Sequence, residues 1–264
     1  MSYLWLLLLI PVLLVAEVLV RTARFKPGAA PQIPEGEEIF DRDKAVENLR
    51  TLIRFKTVSN TDPQLEDDAE FQKLIDKLPE LYPHVFETCK FERMPDRGLL
   101  FTWQGKQHSE PSVLMAHYDV VPVDEAGWSK PPFEAILEDG VVWGRGALDT
   151  KVTFNGVLTA ADHLLAQGYQ PEQDIYFAFS GGEEVNGLGA VHIVDWFEAH
   201  GITPALVVDE GGAVVQDVFP GVKQPCGLIG IAEKGMMNVE YTVKSGGGHA
   251  SAPKPHSPLV ALSE

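Results

Sequence analysis

At 264 residues and 45% apolar content, the chain has room for one large globular domain or two smaller ones. Its formal net charge of −17 argues against nucleic-acid binding, which usually needs a basic surface, and names no other partner by itself. Cys89 and Cys226 lie far apart and match neither a metal knuckle nor a redox pair; a disulfide between them has no support from spacing.

Residues 3–20 are almost entirely apolar, interrupted by Pro11 and Glu17 and followed at once by Arg21, Arg24 and Lys26. A run of about 18 such residues is at the short end of a bilayer span. There is no basic start and no small-x-small cleavage site, as a removable leader would have. Residues 1–25 are therefore expected to be a retained membrane anchor, with secretion after cleavage as the alternative. The flanking cations favour a cytoplasmic body, but so small a bias leaves orientation open. Residues 26–39, with Pro27, Pro31 and Pro34, read as an extended linker.

The folded part begins near Phe40. Apolar residues at helical spacing predict a helix from Ala45 to Phe55 and a second from Asp67 through Phe71, Leu74 and Leu78, limited by Pro79. Val85–Glu87 and Leu99–Trp103 read as strands. Ser112–His117 is an apolar run of the kind a covered parallel strand carries. A loop with turn chemistry spans residues 123–133, and a short hairpin is expected within Glu134–Val142, around Asp139-Gly140. A helix starts near Lys151 and runs to about Gln167, ended by Gly168. Asp174–Ser180 is a strand, Ala190–His200 a helix, and Ala205–Val208 a third, apolar strand.

Three of these strands end in the same way. The first is followed by His117 and Asp119, which point to one side because residues two apart do so in extended chain. The second leads to Glu183-Glu184 and the third to Asp209-Glu210. Asp149 sits just before a helix N-terminus, where capping alone would explain it. Adjacent carboxylates repel, and a loop that holds them together usually serves a cation. Any one of these acids reads as well as a solvated loop residue; their recurrence at one sheet edge, where open α/β sheets bind ligands, is what points to a metal. A mixed imidazole and carboxylate set suits Zn2+, with Co2+ or Mn2+ as alternatives.

The segments His117-Tyr-Asp119-Val-Val-Pro, Gly144-Arg-Gly-Ala-Leu-Asp149-Thr-Lys, Gly182-Glu183-Glu184 and Val208-Asp209-Glu210-Gly resemble the aminoacylase/carboxypeptidase family of two-zinc metallopeptidases. The nearest likeness is to its carboxypeptidase S and N-fatty-acyl-amino-acid hydrolase branch. The loop Trp128 to Phe133 and the segment Gly248-His249-Ala-Ser-Ala-Pro253 fit as well, so the resemblance runs from about residue 40 to the last residue. It implies an α/β fold: a three-layer mixed-sheet zinc-peptidase catalytic domain, incomplete, over 40–233. The start of a ferredoxin-like α+β lid follows over 234–264, with Lys234–Lys244 as its first strand.

By the same resemblance His117 binds one metal and Asp119 orients it. Asp149 bridges two metals, and its following peptide bond is cis. Glu184 binds at one site and Glu210 at the other, with Asp209 the less favoured ligand there. Glu183 is the general base, and His249, from the lid, stabilises the oxyanion, commonly in a neighbouring subunit's site. The reaction implied is hydrolysis of an amide bond in a small peptide or N-acyl amino acid, with two zinc ions lowering the pKa of the attacking water. The implied partners are that substrate, the membrane through the N-terminal segment, and a second copy through the lid. The family's last metal ligand, a histidine in the second half of its catalytic domain, has no counterpart here; His84, His108, His163, His192, His200 and His256 do not replace it. A catalytically inactive or truncated relative that binds a metal or a partner is the competing reading.

Overall fold

The computed structural model describes residues 9–26, 40–232, 235, 237, 239–244 and 262. The chain divides into two compact units, residues 1–41 and 42–264. In the first lies helix α1, Leu9–Arg24, of 16 residues. At ~1.5 Å per residue these described residues cover about 24 Å, against the ~30 Å hydrocarbon core of a bilayer. Its apolar run is broken by Glu17, whose carboxylate takes a 2.7 Å bond from Arg21, and the last turn is basic. Among the described residues no helix is long and apolar enough to cross a membrane. The expected transmembrane anchor, and the membrane localisation that depended on it, are corrected accordingly.

The second unit is built on a five-stranded sheet. Its strands are β1 (Lys90–Met94), β2 (Gly98–Trp103), β3 (Gln107–His117), β6 (Gln173–Ser180) and β7 (Leu206–Val208), and their spatial order is β1-β2-β6-β3-β7. β2 is antiparallel to β1 and β6; β6, β3 and β7 run parallel. β4 (Ile136–Glu138) and β5 (Val141–Trp143) form the hairpin expected around Asp139-Gly140, both of which have positive φ. β8 (Ala213–Val215) and β9 (Cys226–Leu228) form a second small hairpin that the sequence pattern did not announce.

Period-2 alternation builds the layers. Leu99, Phe101 and Trp103 of β2, with Phe177 and Phe179 of β6, face the helices α2 (Arg42–Arg54), α3 (Asp68–Leu81), α4 (Pro83–Thr88) and α5 (Lys151–Ala166). Leu100, Tyr176 and Ala178 face the other way, onto Ile193 and Phe197 of α6 (Gly189–Ala199). Helices on both faces of one mixed sheet make the three-layer α/β domain expected. From β3 the chain crosses one face through α5 to β6, then the other face through α6 to β7, on the far side of β3. The strand order thus reverses at β3, and the C-terminal end of such a strand is where open α/β sheets form their binding crevice.

Two sequence expectations are corrected here. Val85–Glu87 is part of α4, not a strand. Pro83 presets the first turn, and the buried carboxylate of Asp162 on α5 accepts from the amides of His84 and Val85, at 2.7 and 3.2 Å. That tie is 77 residues long-range and invisible to local pattern. Pro79 does not stop α3, which continues to Leu81 because Leu78 and Leu81 are both buried in the core. In Lys234–Lys244, residues 234, 236 and 238 lie outside the described residues, and the others carry no strand.

Candidate metal centre

The sheet delivers His117 at the end of β3, level with Ser180 at the end of β6. The His117 ring is 2% exposed and its Nδ1 meets the backbone carbonyl of Asp119 at 3.0 Å, with the Asp119 carboxylate at 3.4 Å. That fixes the ring and turns Nε2 outward. Around Nε2 stand Asp149 Oδ1 at 3.0 Å, Glu210 Oε1 at 3.1 Å and Glu183 Oε2 at 3.8 Å. His117, Asp149 and Glu184 form one group whose donor atoms could hold a metal ion, and His117, Glu183 and Glu210 form another. Of the expected site residues, the structure therefore brings together His117, Asp119, Asp149, Glu183, Glu184 and Glu210. His249 lies outside the described residues. Asp209 is exposed, and its carboxylate accepts from the Glu210 amide at 2.8 Å.

Asp119 has a second job that sequence reading missed. Its two carboxylate oxygens accept from the backbone amides of Glu183 and Glu184, at 3.1 and 3.2 Å. One fully buried carboxylate thus aims both the imidazole and the acidic pair. The loop carrying that pair is seated from behind by Tyr118. The Tyr118 hydroxyl donates to the Arg97 carbonyl at 2.8 Å, and the same carbonyl accepts from the Gly181 amide at 3.1 Å. A Cβ on Gly181 would come within 2.5 Å of the Tyr118 ring, so glycine is what lets the loop lie there. The Asp149–Thr150 peptide bond is cis.

Electrostatics follow from this crowding. Burial alone would lower the His117 pKa, but hydrogen bonds to Asp119 and Glu210 and their charges push it up to about 11. Burial raises Glu183, opposed by His117 and reinforced by the charges of Glu184, Asp119 and Glu210. Glu184 is raised by burial and then by Asp149. Glu210 goes the other way: burial is outweighed by bonds from His117 and Thr150, which lower it. Burial pushes the amine of Lys151, the first residue of α5, down to about 7 against the pull of Asp119 and Glu70. One imidazole set among acids that raise one another is a donor set suited to a divalent cation. Tetrahedral donors ~2.0–2.1 Å from zinc stand about 3.3 Å apart, close to the spacings around His117 Nε2. A cavity of about 480 Å³ opens beside the cluster; its apolar walls include Met115, Ile193 and Val207. Among the described residues no other histidine joins the cluster: His108 pairs with Asp174, His192 with Asp96, and His200 with the Trp196 carbonyl.

The pattern of Peptidase family M20/M25/M40 matches residues 113–264, more than half of the chain. The chain belongs to that family, a family of hydrolases. Human N-fatty-acyl-amino acid synthase/hydrolase PM20D1 is 36% identical over 238 residues, covering 88% of this chain and 47% of the relative. Carboxypeptidase S of Saccharomyces cerevisiae is 33% identical over 240 residues, covering 84% of this chain and 41% of the relative. The chain thus spans about half the length of the curated relatives it matches. Among solved structures, human carnosine dipeptidase 1 aligns with a TM-score of 0.52 at 18% identity, over 64% of this chain and 38% of that one. An M20 family metallo-carboxypeptidase from Sulfolobus solfataricus aligns with a TM-score of 0.52 at 22% identity, over 67% of this chain and 39% of that one. At such identities these two bear on the fold alone.

Proposed function

We propose that the chain carries the metal-binding half of a zinc-dependent hydrolase that cleaves the amide bond of N-acyl amino acids or small peptides. The observation that carries this reading is the convergence on His117 Nε2 of Asp149, Glu210 and Glu183, all within 3.8 Å. The names of the relatives, a fatty-acyl-amino acid hydrolase and a carboxypeptidase, support the substrate class. In this reading His117, Asp149 and Glu210 hold one ion, while Asp149 and Glu184 serve a second. Bound zinc would lower the pKa of water and polarise the amide carbonyl.

The chain's own residues do the rest. Glu183, with its carboxyl raised and its amide fixed by Asp119, takes a proton from the attacking water and returns it to the leaving nitrogen as the C–N bond breaks. Asp119 keeps His117 and the acidic pair in register. His249 is retained as the proposed oxyanion partner, residues 40–233 as the catalytic portion and 234–264 as the start of a lid through which two copies would pair. Metal content and turnover of an N-acyl amino acid and dipeptide panel test the reading. Wild type should bind zinc and turn over, and Glu183→Gln should keep the zinc while turnover falls by about 10²–10⁴-fold. Absence of both zinc and turnover in wild type would sink the enzyme reading; zinc without turnover would leave a metal-binding relative.

A further inference from the structure

Lys151 stands where a lysine is out of place. It opens α5, although cations are disfavoured at helix N-termini, and it is 0% exposed. Its Nζ donates to the backbone carbonyls of Leu52 and Phe55, at 2.9 and 2.7 Å. Leu52 lies in the last turn of α2 and Phe55 just beyond it; each carbonyl also accepts one backbone amide, from Phe55 at 3.2 Å and Thr57 at 2.9 Å, so the amine takes the second lone pair of each. Protonated or not, the amine has two N–H groups for the two carbonyls. Its stem passes beneath Gly146: a Cβ there would meet Lys151 Cδ at 3.2 Å and Val120 Cγ1 at 2.8 Å.

The tie continues toward the metal cluster. Just beyond Phe55, Thr57 Oγ1 donates to the Tyr118 carbonyl at 2.6 Å. The Val120 amide donates to the Thr57 carbonyl at 2.9 Å, and the Ser59 amide to the Val120 carbonyl at 3.0 Å. Residues 118 and 120 flank Asp119. So a continuous run of bonds leads from Lys151, two residues after Asp149, through 52–59 to the segment that carries His117 and Asp119. Asp149 and His117 approach within 3.0 Å in front, and Lys151 joins their backbones behind.

We propose that Lys151 is a positioning residue: by clamping the start of α5 to the end of α2 and, through Thr57, to residues 118–120, it sets Asp149 against His117 for metal binding. The inference rests on the metal reading of the cluster. A built-in control exists, because Asn155, one turn further along α5, makes a comparable buried tie, its Nδ2 donating to the Ala45 carbonyl at 3.1 Å. That tie leads away from the cluster.

The test is zinc affinity of the full chain, by chelator competition, alongside thermal unfolding of the zinc-free protein. Lys151→Met should weaken zinc by about 10–100-fold, the range typical of groups that orient ligands. Thr57→Val, which removes the side-chain bond to the Tyr118 carbonyl and leaves the backbone pairing with Val120, should act in the same direction by a smaller factor, and the double variant should be no worse than the two combined. Asn155→Leu should lower the melting temperature yet leave zinc affinity within about 2-fold, since the bonds it removes, to the Ala45 carbonyl and from the Tyr82 and Thr159 hydroxyls, are remote from the ligands. Zinc affinity that simply follows melting temperature across all three variants would overturn the proposal, as would wild-type affinity in Lys151→Met. Should Lys151→Met not fold, Thr57→Val against Asn155→Leu makes the same comparison. Failure of wild type to bind zinc would be a different result: it removes the metal reading, and this inference with it.

Discussion

The cluster around His117 has an inner and an outer half, and they are built differently. The side chains of His117 and Asp119 are 2% and 0% exposed, anchored in β3 and the turn that follows it. Those of Asp149, Glu183 and Glu210 are 67%, 55% and 23% exposed, on loops. The inner half is defined by packing and by bonds to backbone. The outer half is aimed by it, since Asp119 holds the amides of Glu183 and Glu184. Geometry is therefore stored in the core, while the groups that would meet substrate stand in the open.

That contrast can be broken from the outside first. If Glu210 and not Asp209 is the ligand, Glu210→Gln should cost zinc affinity more than the ~10–100-fold typical of outer partners, whereas Asp209→Asn should change it by less than about 3-fold; chelator competition reads both. Loss of equal size in the two variants would move the ligand assignment. From the inside, Asp119→Asn replaces one of two acceptor oxygens with an amide facing a backbone N–H. Zinc affinity should fall by about 10–100-fold, with a stability loss of about 1–3 kcal/mol from the unmatched donor, read in denaturant.

Acidity sharpens the same comparison. In the zinc-free fold His117 keeps its proton to about 11, whereas an unfolded histidine releases it near 6.5. Its contribution to stability is full below the unfolded value and is lost as pH rises through the folded one. The raised Glu183 and Glu184 act with the same sign. Lys151 acts with the opposite sign, because its folded value near 7 lies below the unfolded 10.5 and it adds stability as pH rises through the same range. The zinc-free melting temperature should therefore change little from pH 7 to pH 9 in wild type and fall in Lys151→Met, while zinc, which must displace the imidazole proton, binds about tenfold more tightly per pH unit. A flat zinc affinity over that range would show that the proton is not in competition. The smallest effect belongs to Gly181→Ala. Crowding the buried Tyr118 ring should cost about 1–3 kcal/mol and reduce turnover by displacing Glu183; Tyr118→Leu in the same background should recover part of the stability.

Much of this was legible from the chain because three apolar strands each run straight into a histidine or an acid. β3, β6, β7, α5 and the Asp139-Gly140 hairpin carry their own local signals. What escaped was long-range. The helix over Pro83–Thr88 depends on Asp162, and β1 and the β8–β9 hairpin are short and weakly patterned. The roles of Lys151, Thr57 and Tyr118 come from contacts across 21 to 99 residues, which no local window contains. Lys151 alone left a trace, as a cation in the wrong turn of its helix.

The position of β3 in its sheet has a consequence for how the protein comes into being. Both of its neighbours, β6 and β7, lie later in the chain. On a ribosome adding about 5–20 residues per second, roughly 60 residues must follow His117 before β6 is available, a delay of several seconds. Through that interval an apolar strand bearing the cluster's histidine waits unpartnered, and of the sheet only the local β1–β2 ribbon, which β6 will later join to it, can form. Assembly of the cluster is then a late event in biosynthesis, and the nascent chain is most vulnerable to misassociation just before the acids that complete it emerge.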